Sequence, residues 1–264
     1  MMPRPNYLGT KYASRFKDQS VVDRYHLRPT YPSELFSILS ELITDEPRAV
    51  LDVGSGSGDI ARWLVPLVER VDAVDFSQPM LEKGRLLPDG NSPKLRWIYG
   101  RAEDVALYPP YALITAGQSL HWMEWDVVLP RFHQMLTANG YLAIVNTENA
   151  PLPWSDDLIK LIKRLTTNRD YQPFDLIKEL EVRGLFQLRG EKRTVPVPFV
   201  QSLDDYIESF HAMSSLSRDA MGEEAVTDFD NELRSLVSRF SSKEEVELQI
   251  IGTVAWGRPQ SGLQ

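Results

Sequence analysis

The chain contains no cysteine, and this absence excludes several kinds of chemistry. It rules out disulfides, Cys-type zinc sites and a thiolate nucleophile. The composition also fits the cytoplasm, where disulfides are rare, and we expect the protein to act there. The four histidines, at positions 26, 121, 133 and 211, show no pairing at metal-ligand spacing, so we expect no metal site.

Positive charge and long apolar runs are also scarce. The 29 Lys and Arg are outnumbered by 37 Asp and Glu, which gives a net charge of −8. Because duplex nucleic acids need a basic face to neutralise their phosphates, we expect no nucleic-acid partner. No apolar run approaches the ~18–20 residues of a membrane-spanning helix, and residues 1–5 lack the apolar core of a signal peptide. We therefore expect no membrane anchor, and the sequence carries no signature of an oligomeric state.

The 264 residues, 42% of them hydrophobic, suit one large α/β domain. Apolar periodicity predicts helices at residues 34–43, 59–68, 79–87 and 127–136, the last ended by Asn139 and Gly140. Ser77 is the expected cap of the third of these helices. Short apolar runs predict strands at residues 49–53, 71–75, 95–99, 111–116 and 141–145. This alternation is typical of a parallel sheet with helices on both faces.

The pattern changes after residue 149. Helices are predicted at 155–165, 203–213 and 223–240, and strands at 194–200 and 246–256. We interpret 1–264 as a single domain with four parts. Residues 1–44 form an N-terminal helical cover and 45–148 the cofactor-binding core. Residues 149–243 form an inserted helical cap with an edge strand, and 244–258 form the final strand.

A glycine loop lies between the first strand of the core and the helix that follows it. Gly54, Gly56 and Gly58 stand at alternate positions, and glycine lets the backbone come close to a ligand. In open α/β sheets, ligands bind at the carboxyl ends of the strands and near helix N-termini. The loop therefore indicates a nucleotide-like cofactor.

The residues around the loop indicate which cofactor it binds. A dinucleotide site favours G-x-G-x-x-G, but Asp59 occupies the third glycine position, and the lysine of a P-loop is missing. Asp52 would repel a pyrophosphate but suits an ammonium group, and Asp75, at the end of the next strand, can accept both hydroxyls of a ribose. S-adenosylmethionine has a ribose and an ammonium without phosphate. An NAD-dependent oxidoreductase, or a protein that binds S-adenosylmethionine without turnover, remains an alternative.

Longer motifs resemble a known family. DVGSGSG at 52–58, VDAVDFSQPM at 71–80 and GRAED at 100–104 resemble the class I S-adenosylmethionine-dependent methyltransferases. YHLRPTYP at 25–32, AGQSLHW at 116–122 and LDDYIESF at 203–210 resemble the small-molecule methyltransferases related to trans-aconitate methyltransferase. The resemblance extends from residue 16 to about residue 258. It implies a Rossmann-like, doubly wound sheet of seven strands, six parallel and the last antiparallel, with the helical cap inserted.

The resemblance also implies roles for individual residues in binding the cofactor. The glycine loop would contact the methionine portion together with Asp52, the end of the fourth strand would line its other side, and two N-terminal residues would close over it. The acidic end of the second strand would hold the ribose, and residues beside it would contact the adenine. Arginine stands at position 101, where the family often has an acidic residue. The cofactor residues expected are Tyr25, Arg28, Asp52, Gly54, Ser55, Gly56, Asp75, Phe76, Met80, Ala102, Glu103, Ala116, Gly117 and Gln118.

Methyl transfer is an in-line displacement that leaves S-adenosylhomocysteine. Because the leaving thioether is already good, positioning supplies much of the rate, and a base is needed only if the acceptor must lose a proton. His121 follows the fourth strand and is the candidate catalytic residue, with hydrogen bonding to loop backbone as its structural alternative. The acceptor is expected to be a small molecule, methylated on oxygen, nitrogen or carbon. The expected substrate-binding residues are Tyr31, His121, Trp122, His211 and Ser214. For Trp122, His211 and Ser214 the alternative is plain packing.

Overall fold

The structure, a computed structural model, describes residues 8, 10–241 and 244–261, and within it the chain divides into two compact units. The core unit comprises Tyr31–Glu148, Pro173–Val195 and Gly252–Gln264. The cap unit comprises Met1–Thr30, Asn149–Gln172 and Pro196–Ile251. Residues 173–195, predicted as part of the cap, group with the core unit instead. Residues 1–7, 9, 242 and 243 of the predicted cover and cap lie outside the described residues.

The described residues form eight strands and eleven α-helices. The strands are β1 Ala49–Val53, β2 Arg70–Asp75, β3 Leu95–Tyr99, β4 Tyr111–Gly117, β5 Leu136–Asn149, β6 Phe186–Arg193, β7 Val197–Ser202 and β8 Glu245–Pro259. The helices are α1 Thr10–Ala13, α2 Gln19–Arg24, α3 Ser33–Glu41, α4 Ala61–Leu64, α5 Gln78–Leu86, α6 Trp125–Met135, α7 Ser155–Leu165, α8 Leu176–Val182, α9 Leu203–Phe210, α10 Arg218–Met221 and α11 Glu223–Ser238.

The predicted Rossmann-like sheet is confirmed. Its strand order is β3-β2-β1-β4-β5-β8-β6, and β1 pairs in parallel with both β2 and β4. All five residues of β1 are buried, as expected for a strand covered on both faces. The strand order reverses direction at β1, because β2 lies on one side of it and β4 on the other. Such a switch point opens a crevice at the carboxyl ends of these strands.

The described sheet has eight strands, so the predicted count of seven was wrong. β6 was not predicted, and β7 begins at Val197 rather than at residue 194. Both pair antiparallel with β8: β7 with residues 245–250 and β6 with residues 253–259. Pro198 is tolerated in β7 because this strand pairs on one side only among the described strands.

Several predicted element boundaries were also wrong, for local reasons. α4 stops at Leu64, and a 3-10 turn over Val65–Leu67 follows, because Pro66 cannot continue the helix. α6 ends at Met135, and Gly140 lies within β5 instead of ending a helix. A Cβ on Gly140 would stand 3.0 Å from the Tyr111 and Ala112 carbonyl oxygens, where the β4–β5 register shifts. The short helices α8 and α10 were not predicted.

The cap unit has an apolar cluster of its own. Phe229 and Leu233 of α11 are fully buried and pack with Tyr206 of α9 and Leu248 of β8. The Trp154 indole N–H donates to the Tyr206 hydroxyl at 3.2 Å. Of the helices within the described ranges, none combines the length and apolar character needed to cross a membrane.

Trp97 of β3 packs against the glycine loop. Its indole lies against Gly58 and Gly84, where a Cβ on either glycine would come within 2.4 Å of the ring. A Cβ on Gly84 would also stand 2.8 Å from the Ser57 carbonyl oxygen. The indole N–H donates to the Gly90 carbonyl at 2.8 Å. α5, β3 and the loop therefore pack without space for an added methyl group.

We predict that Gly84→Ala destabilises the protein by about 1–3 kcal/mol, because overpacking must displace Trp97 or the loop backbone. The free energy of unfolding in urea measures the effect. Leu86→Ala, at a position on the same helix that is 86% exposed, is the control and should change little. A Gly84→Ala variant as stable as the wild type would contradict this packing.

Candidate functional site

The glycine loop follows β1 in a conformation that side chains resist. Gly54, Gly56 and Gly58 have φ of 64°, 55° and 77°, in the left-handed region that favours glycine. A Cβ on Gly54 would lie 2.5 Å from the Ser119 Cβ. The loop is thus a backbone cradle that only glycine leaves open, as the sequence predicts.

Asp75, at the carboxyl end of β2, fixes this loop. Its Oδ2 accepts the Gly56 backbone N–H at 2.8 Å, and its Oδ1 accepts the Ser77 backbone N–H at 2.7 Å. Ser77 precedes α5 without a side-chain cap hydrogen bond, so the predicted capping role was wrong. A carboxylate oxygen can accept more than one hydrogen bond, so a carboxylate at this position suits the hydroxyl groups of a ribose.

Asp52 lies within β1, almost fully buried at 1% exposure. Its Oδ1 accepts the Thr115 hydroxyl of β4 at 2.8 Å. Burial raises the pKa of Asp52 to about 7, against the opposing effects of the Thr115 hydroxyl and the Ala61 backbone N–H. The nearby carboxylates of Asp59 and Asp75 act in the same direction as burial.

Two buried polar atoms beside the loop have no hydrogen-bond partner among the described residues: Asp52 Oδ2 and Ser55 Oγ. A partnerless buried polar atom costs free energy, and such atoms call for a ligand or water. The donors of an ammonium group match an acidic oxygen and a hydroxyl. The residues around the loop therefore fit S-adenosylmethionine, with its ammonium and ribose toward Asp52 and Asp75.

The carboxyl end of β4 completes this side of the site. Ala116 is fully buried, and a Cβ on Gly117 would meet the Ile60 side chain at 2.5 Å and the Tyr31 hydroxyl at 2.8 Å. Gln118 has a φ of 51°, and its side-chain amide donates to the Thr147 hydroxyl of β5 at 2.7 Å. Tyr31, predicted to bind substrate, thus lies beside residues predicted to line the methionine portion.

The residues predicted to contact the adenine follow the carboxyl ends of β2 and β3 in the chain. Phe76 is half-buried, whereas Met80 and Ala102 are buried. Although burial acts to raise it, hydrogen bonds from the Glu124 backbone N–H and Arg101 hold the pKa of Glu103 below its ordinary value. Arg101 lies 3.3 Å from the Glu103 carboxylate, so the arginine that departs from the family pattern orients Glu103.

His121 and Trp122 stand on the 3-10 turn that follows β4. Both are half-buried, and their ring centroids are 4.7 Å apart at an angle of 49°. The Trp122 backbone N–H donates to the Ser119 carbonyl at 2.9 Å, which closes the turn. The core unit thus brings His121, Trp122 and Tyr31 to the same strand end as Gly117.

Four predicted site residues belong to the cap unit. Tyr25 and Arg28 are neighbours there, with the guanidinium carbon 5.2 Å from the centre of the Tyr25 ring. Ser214 is buried, and its carbonyl accepts from Arg15. His211 is fully buried, with Nδ1 2.7 Å from the Leu216 carbonyl and Nε2 2.8 Å from Asp230. Because both ring nitrogens are used within the unit, this geometry does not support the predicted substrate role of His211.

Sequence reasoning missed two residues that shape the site. Thr115 holds Asp52, and the Ser119 hydroxyl donates to the Val53 carbonyl at 2.6 Å, which ties the β4 loop to the end of β1. Ser119 lies within the 116–122 motif and Thr115 directly precedes it. Strand alternation could have placed the Thr115 side chain on the same face of the sheet as Asp52. Over the described ranges, no group of His, Asp and Glu is arranged to hold a metal ion.

The raised pKa of Asp52 makes stability depend on pH. The folded state holds this proton more tightly than the unfolded state, where the ordinary value is 3.8. The resulting stability is fully present below about pH 4 and is lost as pH rises through about 7. Asp52→Asn cannot ionise, so its stability relative to wild type should rise by about 2–3 kcal/mol between about pH 5 and pH 8. Urea unfolding at both pH values measures this.

Asp104→Asn, at an exposed position, is the matched control and should track the wild type at both pH values. A stability difference between Asp52→Asn and wild type that does not change with pH would show that Asp52 is ionised throughout.

The family described as "Methyltransferase domain" matches residues 50–140. An uncharacterized methyltransferase of Mycobacterium bovis is 30% identical over 139 residues, which cover 52% of this chain and 54% of that protein. The chain spans just over half the length of the curated relatives it matches first.

Solved structures share the fold. A methyltransferase from Thiobacillus denitrificans, described as SAM-dependent and bound to S-adenosyl-L-homocysteine, gives a TM-score of 0.51 at 15% identity, covering 92% of this chain and 98% of that one. Phosphoethanolamine N-methyltransferase 2 of Haemonchus contortus, bound to phosphomonomethylethanolamine and S-adenosylhomocysteine, gives 0.51 at 14% identity, covering 98% and 61%. Residues 50–140 of this chain therefore match a methyltransferase domain, and the described chain shares the fold of these solved structures.

Proposed function

We propose that the protein transfers a methyl group from S-adenosylmethionine to a small-molecule acceptor. One observation carries the proposal: a glycine cradle lies between two buried aspartates, Asp52 and Asp75, at the switch point of the sheet. This arrangement suits a cofactor that combines a cation with a ribose and has no phosphate. When bound, the cofactor supplies the electrophilic methyl group.

In this proposal the core unit binds the cofactor through several polar and several apolar contacts. Asp75 accepts the ribose hydroxyls while its bonds to Gly56 and Ser77 keep the loop in place. Asp52 and Ser55 face the ammonium. Phe76, Met80 and Ala102 border the adenine, with Glu103 held at its edge by Arg101. Ala116, Gly117 and Gln118 line the methionine portion.

The acceptor side of the site is proposed around His121, Trp122 and Tyr31. Trp122 offers an aromatic face next to the His121 ring, which suits a flat or apolar acceptor group. His121 takes the proton that an oxygen, nitrogen or carbon acceptor loses on methylation. Positioning supplies the rest, because aligned reactants remove up to ~7–11 kcal/mol of barrier.

A small acceptor is in keeping with the chain's charge and with the Haemonchus structure, whose bound acceptor is phosphomonomethylethanolamine. The net charge of −8 disfavours long nucleic acids as acceptors. We place the reaction in the cytoplasm, in keeping with a chain that has no cysteine.

We predict that Asp75→Asn weakens S-adenosylmethionine binding at least tenfold. The amide keeps one acceptor oxygen, so it loses one backbone hydrogen bond and one charge-assisted contact to a hydroxyl, each worth about 1.5–3 kcal/mol. Isothermal titration calorimetry measures the dissociation constant, and circular dichroism confirms the fold of the variant. Asp104→Asn, exposed on the loop after β3, should bind like the wild type. Unchanged affinity in Asp75→Asn would refute the ribose role.

A second prediction concerns transfer itself. Methyl transfer from labelled S-adenosylmethionine to the small-molecule fraction of a cell extract should require the protein, and His121→Asn should lower kcat about 10²–10⁴-fold while leaving cofactor affinity unchanged. His133→Asn, at an exposed histidine of α6, is the matched control. Wild-type turnover in His121→Asn would remove this residue from catalysis. No transfer to any fraction would contradict the proposed function.

A further inference from the structure

We propose that Asp52 carries a proton in the cofactor-free protein and releases it when the ammonium group of the cofactor binds. The contact that recognises the amino-acid portion is then made only by ionising a buried acid. This inference rests on the proposed function and adds to it the release of a proton when the cofactor binds. In the step, the O–H bond of the Asp52 carboxyl breaks, the proton passes to the solvent buffer, and the carboxylate pairs with the ammonium.

The geometry around Asp52 favours the neutral acid when no cation is present. The side chain is 1% exposed, so water does not solvate a carboxylate there. Oδ1 accepts the Thr115 hydroxyl, and Oδ2 has no partner at hydrogen-bond geometry among the described residues, although the nearby Ala61 backbone N–H acts to lower the pKa of Asp52. A buried carboxylate with one oxygen unpaired is costly, whereas a neutral carboxyl in the same place is not.

The charged groups that face Asp52 act in the same direction. Asp59 directly follows Gly58, the last glycine of the loop. Its charge is partly offset by the Arg62 guanidinium, which lies 2.9 Å from the Asp59 carboxylate. Asp75 faces it from the end of β2, while β4 contributes the uncharged Thr115. Together with burial, these groups raise the pKa of Asp52 to about 7. The Arg62 guanidinium donates hydrogen bonds to Asp59 and to the Ser57 and Pro88 carbonyls rather than to Asp52.

An ammonium beside the unpaired oxygen reverses this balance. Opposite charge within about 4–6 Å favours the ionised form of a carboxylate, and the ammonium N–H groups satisfy Asp52 Oδ2. The Ser55 hydroxyl, the second partnerless atom, is available to accept from the same group without titrating. Ligands that keep the amino-acid portion should therefore release a proton, and ligands that lack it should not.

Calorimetric titration of the full chain at about pH 6 tests the proposal. Repeating each titration in buffers of different ionisation enthalpy gives the number of protons released. The ligands are S-adenosylmethionine, S-adenosylhomocysteine and 5′-methylthioadenosine, which lacks the amino-acid portion. The first two should each release more than half a proton, and the third should release none. Their dissociation constants should rise by nearly tenfold for each pH unit below about 7.

Two variants separate Asp52 from its surroundings. Asp52→Asn should bind both amino-acid-bearing ligands with no proton release and a flat pH profile. Ser55→Ala is the matched control at the other partnerless atom and should keep the proton release of the wild type. If Asp52→Asn fails to fold, the wild-type proton counts alone decide the matter.

The outcomes distinguish this proposal from the function on which it rests. S-adenosylmethionine binding with no released proton at about pH 6, or with the same release in Asp52→Asn, overturns the proton coupling and leaves the methyltransferase proposal standing. No binding of S-adenosylmethionine or S-adenosylhomocysteine at millimolar ligand overturns the proposed function itself.

Discussion

The hydrogen bonds that Asp75 accepts from the Gly56 and Ser77 backbone hold the rest of the site in place. The bond from Gly56 ties the left-handed glycine loop to the end of the neighbouring strand, and the local bond from Ser77 holds the Asp75 carboxylate in place. The loop then presents its backbone at the switch point of the sheet, where the crevice opens. Without this carboxylate, three glycines at alternate positions would leave the loop with many accessible conformations. The Trp97 indole further restricts the conformations of the loop, because it fills the space against Gly58.

The sequence predicted this part of the molecule well, because each element has a strong local cause. β1 and β3 are short, mainly apolar runs, and their predicted limits match those in the structure. The loop is specified by glycine spacing, and Asp52 and Asp75 stand at strand positions that a parallel sheet brings to one edge. The contacts of Asp75 with backbone amides, and of Asp52 with Thr115, were not predicted, because they depend on strand register. Register has no local sequence signature.

The prediction failed where tertiary contacts override local pattern. Gly140 looked like a helix end but lies in β5, where a close approach to the β4 backbone requires glycine. β6, with the sequence FQLRGEKR, is mostly polar and half-exposed, so it lacks the alternation that marks a strand. The burial of His211 and its bond to Asp230 were not predicted either, because they arise from helix packing within the cap unit. Acceptor recognition depends on such contacts, which is why motifs identify the cofactor and not the acceptor.

The account makes Asp52 and Asp75 the two anchors of one cofactor, and a crystal structure with S-adenosylhomocysteine tests that claim most directly. We predict ribose hydroxyls within hydrogen-bond distance of Asp75 and the ammonium within hydrogen-bond distance of Asp52 Oδ2 or Ser55 Oγ. The space beside the sulfur should be bordered by Tyr31, His121 or Trp122. A ligand bound away from the glycine loop, or bound there with neither aspartate in contact, would contradict the account.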